Sequence, residues 1–191
     1  LCALGRAARA RSTARIAALT GSVGKTGTKE ALRLALSAQA PTHASAASHN
    51  NHWGVPLSLA RAPRAAVYAV YELGMNAPGE IAALARLVRP HVAMITAIEA
   101  AHLGFFPSIE AIAEAKGEIF QGLEPGGIAV LNADSPHYRR LAALAQGAGC
   151  ARVIGFGAAE GAAARLREVR LDGQGSDVAM ALDGRALAFR I

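Results

Sequence analysis

Short apolar, β-prone runs recur along this chain with helical stretches between them, and that alternation leaves few folds open. The runs are RIAALT (15–20), AAVYAVYELG (65–74), HVAMITAI (91–98), GIAVLN (127–132) and ARVIGFG (151–157). Helical patterns fill residues 25–38, 78–88, 108–123 and 137–146. Strands that are apolar without a break, each followed by a helix, predict an α/β fold with a mostly parallel sheet and helices on both faces. After Gly157 the pattern changes to alternation, with turn signals at Asp172-Gly173 and Asp183-Gly184. A small antiparallel meander is expected there.

At 191 residues the chain has the length of one ordinary domain, and its 52 % apolar content excludes a disordered segment. No apolar run is as long as a membrane span. Residues 1–14 read as the end of a preceding linker or helix. Residues 15–157 read as the main domain, and 158–191 as an antiparallel extension of it, cut at its end. A larger parent protein is therefore expected. The net charge of +6 favours anionic partners such as nucleotides. Without a basic block interleaved with aromatics, no nucleic-acid partner is expected. Cys2 and Cys150 form no motif, which fits a reducing cytoplasm.

The first strand runs into LTGSVGKTGTK (19–29). The pattern G-x-x-x-x-G-K-[ST] requires glycine at the place of Leu19, but the context of strand, glycine turn and helix is that of a P-loop. Gly21, Ser22, Val23 and Gly24 would turn backbone N–H groups toward phosphate oxygens. The helix N-terminus would add partial positive charge. Lys25 would meet the β- and γ-phosphates, and the Thr26 hydroxyl would hold Mg²⁺. Gly27 lies inside the first helical turn, where glycine costs up to about 1 kcal/mol against alanine. The alternative is a plain turn with a solvated lysine.

Ligands of parallel α/β sheets bind beyond the carboxyl ends of the strands. Glu72 ends the second run, His102 follows the third, and Asn132 ends the fourth, ahead of Asp134. A carboxylate and an imidazole can both ligate a cation beside a triphosphate. Taken singly, Glu72 is also a partner for an arginine and His102 a helix cap. Lys116 falls in the apolar stripe formed by Ile109, Ile112, Ala113, Ile119, Phe120 and Leu123. A buried lysine loses its proton readily, and the neutral amine can take up CO₂ as a carbamate. The plainer reading is a lysine that snorkels from the stripe edge. Asn50 and Asn51 suit an amide- or sugar-rich ligand, or a turn or helix cap.

The stretches TGSVGKTGTKE, SHNNHWGVPLSLA, ELGMNAPGEIAAL, ITAIEAAHLGFFPSIEAIAEAKGEIF and GGIAVLNAD resemble the central domain of the Mur ligases, ATP-dependent amide-forming enzymes of peptidoglycan synthesis. The loop of that family is typically T-G-[ST]-x-G-K-T, so Leu19 does not count against a nucleotide site. The Asn-Asn and ELGMNAPGEI stretches are most similar to members that add D-alanyl-D-alanine to UDP-N-acetylmuramoyl-tripeptide. A P-loop NTPase-like fold is implied.

The resemblance further implies ATP on Gly21, Ser22, Val23, Gly24, Lys25, Thr26 and Gly27, with a weaker transfer to Asn132. It implies two Mg²⁺ ions, one on Thr26 and Glu72 and a second supported by His102 and a carbamylated Lys116. Lys25, Lys116 and His102 become catalytic, while Asn50 and Asn51 contact the UDP-muramoyl-peptide. An acyl phosphate precedes amide formation. The family's N-terminal and C-terminal domains are expected elsewhere, so this segment alone is not expected to ligate. Three positions depart from the family pattern: Gly27 for serine or threonine, Ala97 for asparagine and Pro107 for glycine. They keep open a non-catalytic nucleotide-binding fragment, beside a sister ligase that adds another amino acid.

Overall fold

The computed structural model describes residues 1–100 and 104–191. The chain runs α1 (Cys2–Arg11), β1 (Arg15–Thr20), α2 (Lys25–Ser37), β2 (Thr42–Ala44), α3 (Gly54–Arg61), β3 (Tyr68–Glu72), α4 (Glu80–Val88) and β4 (Val92–Ile95). It continues with α5 (Ile109–Gly117), a 3₁₀ turn (Glu118–Gly122), β5 (Ile128–Asn132), α6 (Tyr138–Gly147) and β6 (Arg152–Gly157). The meander is β7 (Ala164–Asp172), β8 (Gly175–Leu182) and β9 (Arg185–Arg190).

Among the described residues, nine strands form one sheet in the order β2-β3-β1-β4-β5-β6-β7-β8-β9. Pairing is parallel from β2 through β7 and antiparallel from β7 to β9. The five apolar runs became β1, β3, β4, β5 and β6. Adjacent residues of a strand face opposite sides of the sheet, and Ala18 and Leu19 in β1 are both fully buried. The centre of the sheet is therefore covered on both faces, as continuous apolar strands require. The core joins Ile16 and Ala18 to Tyr71, Ile95 and Leu131, and to Ile81, Ile112 and Phe120 from the helical segments.

Three features were not visible as periodicity. β2 is three partly polar residues, made a strand by pairing Thr42–Ala44 with Tyr68–Val70. α1 docks on α3 and α4 and buries Arg9 to 5 % exposure. Arg9 donates to Val88 O at 2.6 Å, Arg89 O at 2.8 Å and the Glu124 carboxylate at 2.9 Å. The meander is continuous with the main sheet through Phe156↔Ala164 and Gly157↔Arg165. Its second turn follows the Asp-Gly signal, with Asp183 at φ 47° and Gly184 at φ 83°, the paired positive angles of a type I′ hairpin.

The chain leaves β1 toward β3 on one side and reaches β4 on the other, so the order of connection reverses beside β1. The crevice beyond the carboxyl ends of β3, β1 and β4 is where such a sheet accepts a ligand.

Candidate functional site

The loop between β1 and α2 is built so that only glycine fits at its key points. A Cβ on Gly21 would lie 1.9 Å from Thr96 Oγ1, and Gly24 caps α2 in the left-handed region at φ 80°. Thr96, just past β4, holds the loop from beneath by donating to Val23 O at 2.6 Å. Ser22 N–H donates to Ala97 O at 2.8 Å, and the Ser22 hydroxyl bridges the backbone of Glu99 by accepting from its N–H and donating to its carbonyl, each at 3.0 Å. Ala97, where the family pattern has asparagine, thus contributes its carbonyl.

Lys25 opens α2, and its ammonium lies over the loop, donating to Gly21 O at 2.8 Å and Ser22 O at 3.4 Å. Thr26 donates its hydroxyl to Glu72 Oε2 at 3.0 Å, while Asn50 Nδ2 donates to Glu72 Oε1 at 2.7 Å. Glu72 is 1 % exposed, so both carboxylate oxygens are engaged and oriented. Asn50 fits closely because Gly74 has no side chain: a Cβ there would meet Asn50 Oδ1 at 2.5 Å.

Lys25 and Lys116 line one cleft of about 440 Å³ with Asn50, Asn51, His52 and Asn76. Lys116, on α5, is 2 % exposed. Burial, and secondarily the charge of Lys25, pull its pKa down from 10.5 to about 8. The neutral form of its amine is therefore easier to reach than that of a solvated lysine. Two glutamates fix the turn that leads from the cleft into α4. Glu80 accepts from Asn76 N at 2.6 Å, and Glu118 accepts from Gly79 N at 2.7 Å and Ala82 N at 3.1 Å, meeting orphan donors at the start of α4.

Of the residues singled out in the sequence, Lys25, Lys116, Asn50 and Asn51 meet in this cleft, and Thr26, Glu72 and Asn50 form a bonded chain beside it. Asn51 also acts locally, because its Oδ1 accepts from Trp53 N and Gly54 N at 3.1 and 2.9 Å and so caps the start of α3. Asn132 ends β5, separated from β1 by β4. Its Oδ1 accepts from Asp134 N at 2.9 Å, and it is not among the residues that line the cleft. Val23 is exposed, and Gly27 faces open space. His102 lies outside the described residues. Sequence reasoning did not single out Thr96, Ser45 or Lys29. Lys29 stands one helical turn after Lys25, and that i,i+4 spacing was the available signal.

Hard oxygen donors from a threonine and a glutamate suit Mg²⁺, which takes one or two protein ligands and fills its octahedron with phosphate and water. The described residues contain no group of three His, Cys, Asp or Glu able to enclose a metal alone, and a cation shared with phosphate needs none. The residues present therefore fit that ion.

The Mur ligase middle domain model matches residues 19–191. The UDP-N-acetylmuramoyl-tripeptide–D-alanyl-D-alanine ligase of Rickettsia prowazekii is 41 % identical over 158 residues, covering 83 % of this chain and 35 % of that protein. Among solved structures, MurF from Acinetobacter baumannii superposes with a TM-score of 0.92 at 33 % identity, over 100 % of this chain and 41 % of that one. The MurF ligase from Thermotoga maritima in complex with ADP gives 0.86 at 27 % identity, over 98 % and 43 %. The chain spans about a third of the length of the curated relatives it matches. With its glycine loop, its Thr26–Glu72–Asn50 chain and a match over nearly its whole length, this chain belongs to the Mur ligase family as a middle domain.

Proposed function

We propose that this chain is the ATP-binding part of a cytoplasmic ligase that adds D-alanyl-D-alanine to UDP-N-acetylmuramoyl-tripeptide. N-terminal and C-terminal domains of the same enzyme would bind the UDP-substrate and deliver the incoming amine. The observation that carries the reading is the shared cleft: Lys25, Asn50 and Lys116 line one space, at the end of the glycine loop and beside the buried Glu72.

In this reading the triphosphate lies over residues 21–26, where backbone N–H groups and the start of α2 favour negative charge. Lys25 exchanges its two loop carbonyls for the β- and γ-phosphates. The tripeptide carboxylate attacks the γ-phosphorus, giving an acyl phosphate and ADP. The amine of D-alanyl-D-alanine then attacks the acyl carbon, and phosphate departs. Thr26 and Glu72 would hold one Mg²⁺, with Asn50 fixing the carboxylate. His102 and Lys116, the latter as a carbamate, would support a second. The ions supply charge neutralisation as the phosphoryl group moves. Asn50 and Asn51 would also contact the muramoyl-peptide, and Asn132 would help to seat the nucleotide.

Titrating the chain with ADP, with and without Mg²⁺, tests this. Saturable binding that tightens with Mg²⁺ and is lost in Lys25→Ala is the expected result, together with no amide formation by the chain alone. Binding indifferent to Lys25→Ala would overturn it.

A further inference from the structure

Lys29 places a hydrogen-bond-donating amine in a fully buried position. Such a group is tolerated only when its donors are met, and here three acceptors surround it. They are Ser45 O at 2.8 Å, Ala47 O, and a Glu30 carboxylate oxygen at 3.3 Å. Ala47 sits at φ 45°, a left-handed conformation that is unfavourable for a residue with a Cβ. Ser45 is itself buried. Its N–H donates to Val70 O at 3.1 Å, and its hydroxyl accepts from Glu72 N at 3.4 Å. Three residues beyond Ala47, Asn50 reaches the Glu72 carboxylate.

We infer that Lys29 is a positioning residue for the cation site: by gripping the carbonyls of Ser45 and Ala47, it holds the 45–50 segment in the left-handed turn that brings Asn50 to Glu72. The inference rests on the nucleotide-site reading above. Lys29 acts through the segment, whereas Lys25 and Thr26, on the same helix, face the ligand. Lys29→Met keeps the length of the side chain and removes the grip, so Glu72 loses its fixed orientation. Ala47→Gly removes the backbone strain that the grip opposes, and so substitutes for part of it.

The test compares the unmodified chain, Lys29→Met and Lys29→Met/Ala47→Gly, each titrated with ADP without metal and then with Mg²⁺ at fixed ADP. Disturbing an outer partner of a metal ligand costs about 10–100-fold in metal affinity, so Lys29→Met should shift the Mg²⁺ midpoint upward by about tenfold or more and leave metal-free ADP affinity within about twofold. The double variant should recover part of that shift. Amide hydrogen exchange at residues 45–50 should quicken in Lys29→Met and slow again in the double variant. If Lys29→Met does not fold, Lys29→Gln, which keeps an N–H donor in the pocket, is read by the same two titrations. An unchanged Mg²⁺ midpoint, a parallel fall in both titrations, or no recovery from Ala47→Gly overturns the inference while the nucleotide site stands. Failure of the unmodified chain to bind ADP overturns the site and this inference with it.

Discussion

The hydroxyl of Thr26 meets the carboxylate of Glu72 at 3.0 Å, although one lies in the first turn of a helix and the other ends a strand that follows much later in the chain. The parallel pairing of β1 with β3 matches Leu19 to Glu72, so the carboxylate stands at the level where the glycine loop begins. Glu72→Gln preserves shape and still offers Asn50 an amide oxygen, but it removes the charge. The Mg²⁺-dependent part of ADP binding should fall by about tenfold or more, with metal-free binding retained. Calorimetric titration with and without Mg²⁺ checks this.

Lys116 makes folding stability depend on pH in a defined direction. The unfolded chain keeps this proton up to about pH 10.5, whereas the folded chain releases it near pH 8. Between those values the unfolded state binds more protons, so stability rises with pH, by up to about 3 kcal/mol across the window. Urea unfolding from pH 7 to 10.5 should show the rise, and Lys116→Met should lack it. In a complete ligase built on this domain, Lys116→Ala should remove most turnover, and added formate should restore part of it.

Two glycines six residues apart should respond in opposite ways. Gly27 is helical and faces open space, so Gly27→Ala should stabilise the fold by about 0.5–1 kcal/mol. In a domain of this size that is a rise in melting temperature of roughly 1–4 °C. Gly21→Ala drives a methyl into Thr96 Oγ1, which is already held by Val23 O. It should cost about 1–3 kcal/mol and abolish ADP binding. Calorimetric melting and an ADP titration read both.

Arg9 fastens α1 to the carbonyls of Val88 and Arg89 and to Glu124. Desolvation lowers its pKa, yet it keeps its charge because a guanidinium does not titrate in the accessible range. Arg9→Leu would strand the two carbonyl acceptors at the end of α4 and leave Glu124 with Arg89 alone, at a cost of about 2–4 kcal/mol. Urea denaturation measures the loss. ADP affinity of the folded variant should stay unchanged, because Arg9 is not among the residues that line the cleft.

The main sheet was legible because parallel strands buried on both faces announce themselves as unbroken apolar runs, and RIAALT and GIAVLN became β1 and β5 almost residue for residue. The burial of Lys116 was legible because a charged residue in an apolar helical stripe stands out against its period. The roles of Arg9 and Lys29 were not, since their partners lie up to 115 and 18 residues away, and a lone arginine or lysine on a helix reads as solvated. β2 was hidden for a related reason: Thr42–Ala44 has no pattern of its own and borrows its form from β3. The double duty of Asn51, cap and cleft wall, was anticipated only as a pair of alternatives, because local hydrogen bonding and ligand contact require the same side chain.

The opening turns of α2 place Lys25, Thr26 and Lys29 against three different neighbours: the glycine loop, the end of β3 and the segment after β2. An α-helix advances about 100° per residue. A single residue inserted between Thr26 and Lys29 would therefore swing the rest of the helix like a key cut one notch out of phase, leaving the first two wards engaged and the third unreachable. The spacing of these three side chains is as much a part of the lock as their chemistry.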